Sequence, residues 1–241
     1  MTKITLDILA FSAHPDDVEI SCGATLIKSI SQGMRVGIVD FTAGEMGSRG
    51  SKETRMTEAS KASELLGLVV RENLNLRDCF FQSDENNLRA IIGKIRQYKP
   101  SIVLCNSPSD RHPDHARAST MVREACFYSG LARIETLHDN EPQDAWRPKV
   151  VLQYIQDYHH KPDVVVDITG YWEQKVKLLE CYSSQFHNPD SEGPSTPISG
   201  AEFFDFVYGK ALNTGRQAGY TLGEGFVCER YIGVSSLDRL L

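Results

Sequence analysis

Short apolar runs at residues 4–11, 36–42 and 101–106, with a further predicted strand at 69–76, constrain the fold more than any other feature of the chain, and the first two read as buried strands. Between them lie helical patterns at 20–32, 54–66 and 85–98, and a further helix is predicted at about 114–130. In the first helix Ile20, Ala24, Ile27 and Ile30 recur at helical spacing and Gly33 suits a C-cap; the second ends at Gly67. Strands alternating with helices of this length imply βαβ units, and so an α/β fold with a mostly parallel sheet and helices on both faces. Such sheets bind ligands outside the carboxyl ends of their strands.

The connections are less regular. Residues 43–52, rich in Gly and Ser, read as a long surface loop. Residues 133–149 read as a loop, 150–155 and 164–168 as strands joined by a segment containing His159-His160-Lys161-Pro162, and 171–181 as a helix. A loop at 186–200, a helix at about 200–213 and a short strand at 225–227 close the chain. With no internal repeat, low-complexity tract or clear linker, residues 1–241 are expected to form a single domain.

A formal charge of −6 and a pI near 5.7 argue against a general nucleic-acid or polyanion binder. The N-terminus lacks a signal peptide's long apolar region, Asp7 interrupts residues 4–11, and no apolar run reaches membrane-spanning length. A soluble cytoplasmic protein is the expectation, with neither nucleic acid nor membrane as partner. Cys22, Cys79, Cys105, Cys126, Cys181 and Cys228 are scattered without a Cys-x-x-Cys pair, which is neither a zinc-knuckle spacing nor a disulfide framework. They read as reduced, buried, small apolar residues.

Two dense stretches carry the chemistry. Ala13-His14-Pro15-Asp16-Asp17 follows the first strand, and Asp110-Arg111-His112-Pro113-Asp114-His115 follows the fourth. Both therefore fall on the edge where a parallel sheet builds its sites. His14, Asp17 and His115 offer two imidazoles and a carboxylate, and a catalytic zinc commonly takes three protein ligands and leaves a position for water. Pro15 restricts the turn between residues 14 and 17. Asp16 projects differently from Asp17 and suits a proton acceptor beside the metal-bound water. His112 is placed to stabilise an oxyanion or protonate a leaving amine, and Asp114 to orient that imidazole. Either stretch alone could be a helix N-cap turn. Both together, each after an apolar strand, argue against a purely structural role. A structural zinc site is also disfavoured, since such sites are usually Cys-rich and fully coordinated.

At these residues the chain resembles the PIG-L/LmbE-like family of zinc-dependent N-acetylglucosamine deacetylases, which carry a His-Pro-Asp-Asp motif near the N-terminus and a later His-Pro-Asp-His motif on a Rossmann-like fold. The resemblance runs over most of the chain. It is closest to the bacillithiol-biosynthesis branch, which removes acetate from N-acetylglucosaminyl malate, through Arg111, His160-Lys161-Pro162, Ser184-Gln185-Phe186, Thr196-Pro197 and Gly223-Glu224-Gly225-Phe226. It implies one zinc per chain on His14, Asp17 and His115, with Asp16 as base and His112, oriented by Asp114, as oxyanion or leaving-group partner. It implies Arg55 as a substrate contact and a homo-oligomer, often hexameric. Arg111 would be either an anion contact or half of a structural ion pair. Residues 44–50 are variable in the family. His138, His159, His160 and His187 match no ligand position; the first two read as surface residues and the last two as neighbours of the cavity.

Other readings are separable. The same chemistry could serve another N-acetylglucosamine glycoside, a chitooligosaccharide or a thiol conjugate; Arg55 and Arg111 favour a substrate with carboxylates. A non-catalytic nucleotide-binding module would need a Gly-x-Gly-x-x-Gly turn after the first strand, where Ser12-Ala13-His14-Pro15 stands instead. The imidazole/carboxylate set suits zinc and also accepts iron(II), cobalt or manganese.

Overall fold

The computed structural model describes residues 4–186 and 193–240. Five strands form the parallel core: β1 (Ile8–Ser12), β2 (Val36–Asp40), β3 (Val70–Asn73), β4 (Ile102–Cys105) and, after a two-stranded ribbon of β5 (Leu137–His138) and β6 (Glu141–Pro142), β7 (Val150–Tyr154). With β8 (Val164–Asp167) and β9 (Gly223–Val227) the sheet has seven strands in the order β3-β2-β1-β4-β7-β9-β8. β9 runs antiparallel to both neighbours, entering between β7 and β8. The mostly parallel α/β sheet expected from the sequence is the one observed.

The helices are α1 (Asp17–Ser31), α2 (Lys52–Leu66), α3 (Glu85–Tyr98), α4 (Pro113–Tyr128), α5 (Trp172–Glu180) and α6 (Phe203–Gln217). Alternate residues of β1 serve opposite faces. Ile8 and Ala10 join a core with Leu26, Leu104, Leu178 and Tyr154, while Leu9 and Phe11 join one with Phe41, Ile91, Val103 and Met121. Every residue of β1 and β2 is buried, as a strand covered on both faces must be.

Several boundaries differ from the sequence reading. α1 begins at Asp17, inside the first motif, not at residue 20, because Asp16 takes a left-handed turn (φ 111°) that starts the helix at once. α6 runs to Gln217, a turn past the expected end, and β9 begins at Gly223, not 225. Residues 133–149 contain the β5–β6 ribbon.

α1 is kinked at Cys22 (φ −140°). Glu224 of β9 accepts from Ala24 N (3.3 Å), Thr25 N (2.7 Å) and Thr25 Oγ1 (2.6 Å), and pairs with buried Lys175 Nζ of α5 at 2.6 Å. A carboxylate inserted into the helical ladder satisfies donors that the kink frees. This explains the Gly-Glu-Gly-Phe stretch and ties the antiparallel strand to the helix that opens the site.

β1 pairs with β2 on one side and β4 on the other, all parallel. The loops after β1 and β4, about a hundred residues apart in sequence, are therefore neighbours, and the loops after β2, β3 and β7 flank them.

Candidate metal centre and its relatives

Those loops enclose a cavity of about 220 Å³ lined by both motifs, by Asp78 after β3, by Gln156 and Asp157 after β7, and by α6. Asp16 and Asp17 are each 4% exposed, so the two carboxylates must be satisfied from within.

Asp17 sits at the centre. Its Oδ2 accepts from His14 N and Asn106 Nδ2, both at 3.0 Å, and its Oδ1 accepts from Gln156 Nε2 at 3.1 Å. Oδ1 lies 3.0 Å from His115 Nε2 and Oδ2 lies 3.6 Å from His14 Nδ1. Each imidazole thus presents one nitrogen to Asp17, and a carboxylate holds the other. His14 Nε2 meets Asp78 Oδ1 at 3.1 Å and lies 3.4 Å from Asp114 Oδ2; His115 Nδ1 meets Asp110 Oδ2 at 2.5 Å. One nitrogen facing inward and the other fixed by a carboxylate is the usual environment of a metal-ligating histidine. Tetrahedral zinc donors about 2.0–2.2 Å from the ion lie about 3.3–3.6 Å apart, close to the spacings around Asp17.

Burial alone would depress both imidazoles, yet the surrounding carboxylates outweigh it. Asp114, Asp17 and Asp78 raise His14 well above its ordinary value, and Asp17 and Asp110 bring His115 to about 9. Against the upward push of burial, the bond from His14 draws Asp78 down to about 2. The carboxylate charge that raises both imidazoles also suits a divalent cation, whose binding would release those protons. Among the described residues two triads offer donor atoms that all lie within 4.8 Å of one another: His14, His112 and His115, and His14, Asp78 and Asp114; the spacings that join Asp17 to His14 and His115 are those given above. In the second triad, the carboxylates face the outer nitrogen of His14, the position of an orienting partner.

Asp16 does not cap its helix through its side chain. Its Oδ2 receives Arg55 Nη2 at 2.9 Å, and the same nitrogen donates to Pro15 O at 2.5 Å. Burial pushes the Asp16 carboxyl up to about 7, with Arg55 pulling it down and Asp17 pushing it further up. Gly44, itself left-handed at φ 66°, lets the arginine approach: a Cβ there would stand 2.3 Å from Arg55 Nη1.

His112 is the N-cap of α4, its Nδ1 accepting from Asp114 N at 3.3 Å. That bond leaves the proton of the neutral ring on Nε2. Burial, then the neighbouring charges of His14 and His115, lower its pKa. Its ring centroid lies 4.7 Å from that of His14 and 5.2 Å from that of His115.

One expectation needs correction, and two others gain partners. The Asp114 carboxylate does not orient His112; it accepts from Cys79 N at 3.0 Å and Arg117 Nη1 at 2.5 Å, and faces His14, so only its backbone N–H serves the ring. Arg55, expected as a substrate contact, donates through Nη2 to both Asp16 and Pro15 while still lining the cavity, with its buried Nε unpartnered among the described residues. Arg111 donates to Asp157 Oδ2 at 2.7 Å from the cavity rim, which is the ion-pair alternative. His138 and His159 are at the surface as expected, His160 bonds Ser109 O outside the cavity lining, and His187 lies outside the described residues.

The sequence reading missed Asp78, Asn106 and Gln156, and gave Asp110 no role. A strand-end position in a parallel sheet was the available signal for Asp78 and Asn106. Asp110 stood inside the motif, but its use depends on which ring nitrogen faces inward.

The family profile described as GlcNAc-PI de-N-acetylase, PIG-L, matches residues 9–126, spanning both motifs. The chain belongs to the PIG-L family. Among its relatives, the diacetylchitobiose deacetylase of Thermococcus kodakarensis is 29% identical over 74% of this chain and 70% of that protein. An uncharacterized deacetylase of Escherichia coli, YaiS, is 32% identical over 49% of this chain and 67% of its own length. The 4-oxalmesaconate hydratase of Pseudomonas putida is 26% identical over 74% of each. The crystal structure of the conserved protein TT1542 of Thermus thermophilus superposes with a TM-score of 0.84 at 28% identity, over 96% of this chain and 98% of that one.

Proposed function

We propose that this PIG-L chain is a zinc-dependent deacetylase of an N-acetylglucosamine glycoside, with N-acetylglucosaminyl malate as substrate, giving glucosaminyl malate and acetate. The observation that carries the reading is the pair of inward-facing imidazoles bracketing Asp17, with the Asp16 carboxylate beside them. Support for deacetylation comes from the named deacetylases among the relatives, and support for malate from the resemblance to the bacillithiol branch.

His14, Asp17 and His115 would hold the ion, which when bound supplies Lewis-acid polarisation and activation of water. Asp16 takes the proton of the attacking water. Its carboxyl, balanced near neutrality between burial and Arg55, can accept that proton and later release it to the departing amine. His112, neutral with its proton on Nε2, donates a hydrogen bond to the oxyanion that forms as the amide carbon becomes tetrahedral. Asp78 and Asp110 keep His14 and His115 in the tautomers that face Asp17.

The test is acetate release across N-acetylglucosaminyl malate, N-acetylglucosaminyl inositol, free N-acetylglucosamine, diacetylchitobiose and a mycothiol-type conjugate. The reading expects stoichiometric acetate and free amine, fastest from the malate conjugate. Hydration of 4-oxalmesaconate without acetate release from any N-acetyl substrate would replace it.

A further inference from the structure

Four lysine or arginine side chains line the cavity: Arg55, Arg111, Lys175 and Lys210. Three are held by a carboxylate: Arg55 by Asp16 at 2.9 Å, Arg111 by Asp157 at 2.7 Å and Lys175 by Glu224 at 2.6 Å. Lys210 has no ion pair among the described residues. Its ammonium lies over the Phe206 ring, 5.5 Å from the centroid. On α6 it follows Phe203, Phe206 and Val207 at helical spacing, and all four line the cavity. α6 therefore supplies an apolar wall carrying one cation.

Burial, then repulsion from Lys175, push the Lys210 ammonium down to about 8, against the pull of the Asp157, Asp110 and Glu224 carboxylates. A half-buried cation with no carboxylate in direct contact is poorly solvated where it stands, and an arriving anion gives it a direct partner. Its four-carbon stem can follow that anion over several ångströms.

We propose that Lys210 is the contact for a carboxylate on the aglycone of the substrate, so that the α6 wall contributes to selecting an anionic N-acetylglucosamine conjugate. The proposal rests on the deacetylase reading above and adds to it a specificity determinant outside both motifs.

The experiment compares wild-type, Lys210→Met and Lys210→Arg zinc-loaded proteins on N-acetylglucosaminyl malate and on methyl N-acetylglucosaminide, with calorimetric titration of L-malate alone. A charge-assisted hydrogen bond lost on the charged substrate predicts that Lys210→Met lowers kcat/KM for the malate conjugate by about 10–100-fold, chiefly through KM. Activity on the neutral glycoside stays within about twofold, and Lys210→Arg retains most of the activity on the charged one, since either cation can meet a carboxylate. Equal losses on both substrates, or no loss on the malate conjugate, overturn the assignment. Should the wild type release acetate from neither, the deacetylase reading fails, and the titration decides the anion site separately. Malate binding that weakens at least about tenfold in Lys210→Met upholds the site, whereas absent or unchanged binding overturns it.

Discussion

Arg55→Ala separates the substrate contact expected from the sequence from the pairing with Asp16 seen in the structure. The arginine lies within 2.9 Å of the Asp16 carboxylate, both side chains being almost fully buried. A hydrogen bond between charged groups contributes about 1.5–3 kcal/mol, and about 1.4 kcal/mol corresponds to one pH unit in a dissociation constant. Removing the guanidinium should therefore raise the acid-limb midpoint of the rate profile by about one to two pH units. From the wild-type position near 7, the ionised fraction of Asp16 at pH 7 would fall by about 5–50-fold, yet stay within about twofold of wild type at pH 9. A bound cation lowers both midpoints, so the displacement between the two profiles is the quantity to read. The assay is kcat against pH for both proteins on a charged and a neutral N-acetylglucosamine substrate, with metal content measured alongside. If the two profiles share a midpoint and the loss is confined to the charged substrate, Arg55 is an anion contact after all and its role beside Asp16 is lost.

Asp16→Asn keeps the shape of the side chain while removing the proton acceptor, so near-normal zinc content with a rate loss of about 10²–10⁴ is expected; loss of zinc in that variant would instead make Asp16 a ligand. Asp110→Asn frees the His115 ring and should weaken zinc by about 10–100-fold, measured by competition with a chromophoric chelator, whereas unchanged affinity would reduce Asp110 to a loop staple through Asp157 N and Tyr158 N. Because His14 and His115 are both raised above their ordinary values, zinc binding at pH 7 should release about two protons, read by calorimetry in buffers of different ionisation enthalpy. In the metal-free protein the raised His115 adds stability that is complete below its unfolded value of about 6.5 and is lost as pH rises through about 9; a melting temperature that instead climbs over that window would contradict the pairing.

The parallel sheet was legible because β1, β2 and β4 are nearly continuous apolar runs, and the meeting of His14 with His115 followed from two motifs at strand ends. The left-handed turn at Asp16 was not legible, since nothing in that residue type demands φ 111°, and so α1 was begun a turn late. β9 was seen only in part, because its glycines carry no apolar alternation and its partner strands come from elsewhere in the chain. Charge pairing was the hardest to read. Arg55, Arg111 and Lys210 look alike in sequence, and only the fold decides that two meet carboxylates and the third does not.

The most direct measurement is acetate released from N-acetylglucosaminyl malate by protein stripped with a chelator, then reloaded with one equivalent of zinc, run beside His115→Ala treated identically. Stripping should abolish release, one equivalent should restore it to the wild-type protein, and the variant should neither retain the zinc nor recover. Full release from the stripped protein, or a metallated and active His115→Ala, would contradict a metal-dependent amide hydrolysis built on these residues.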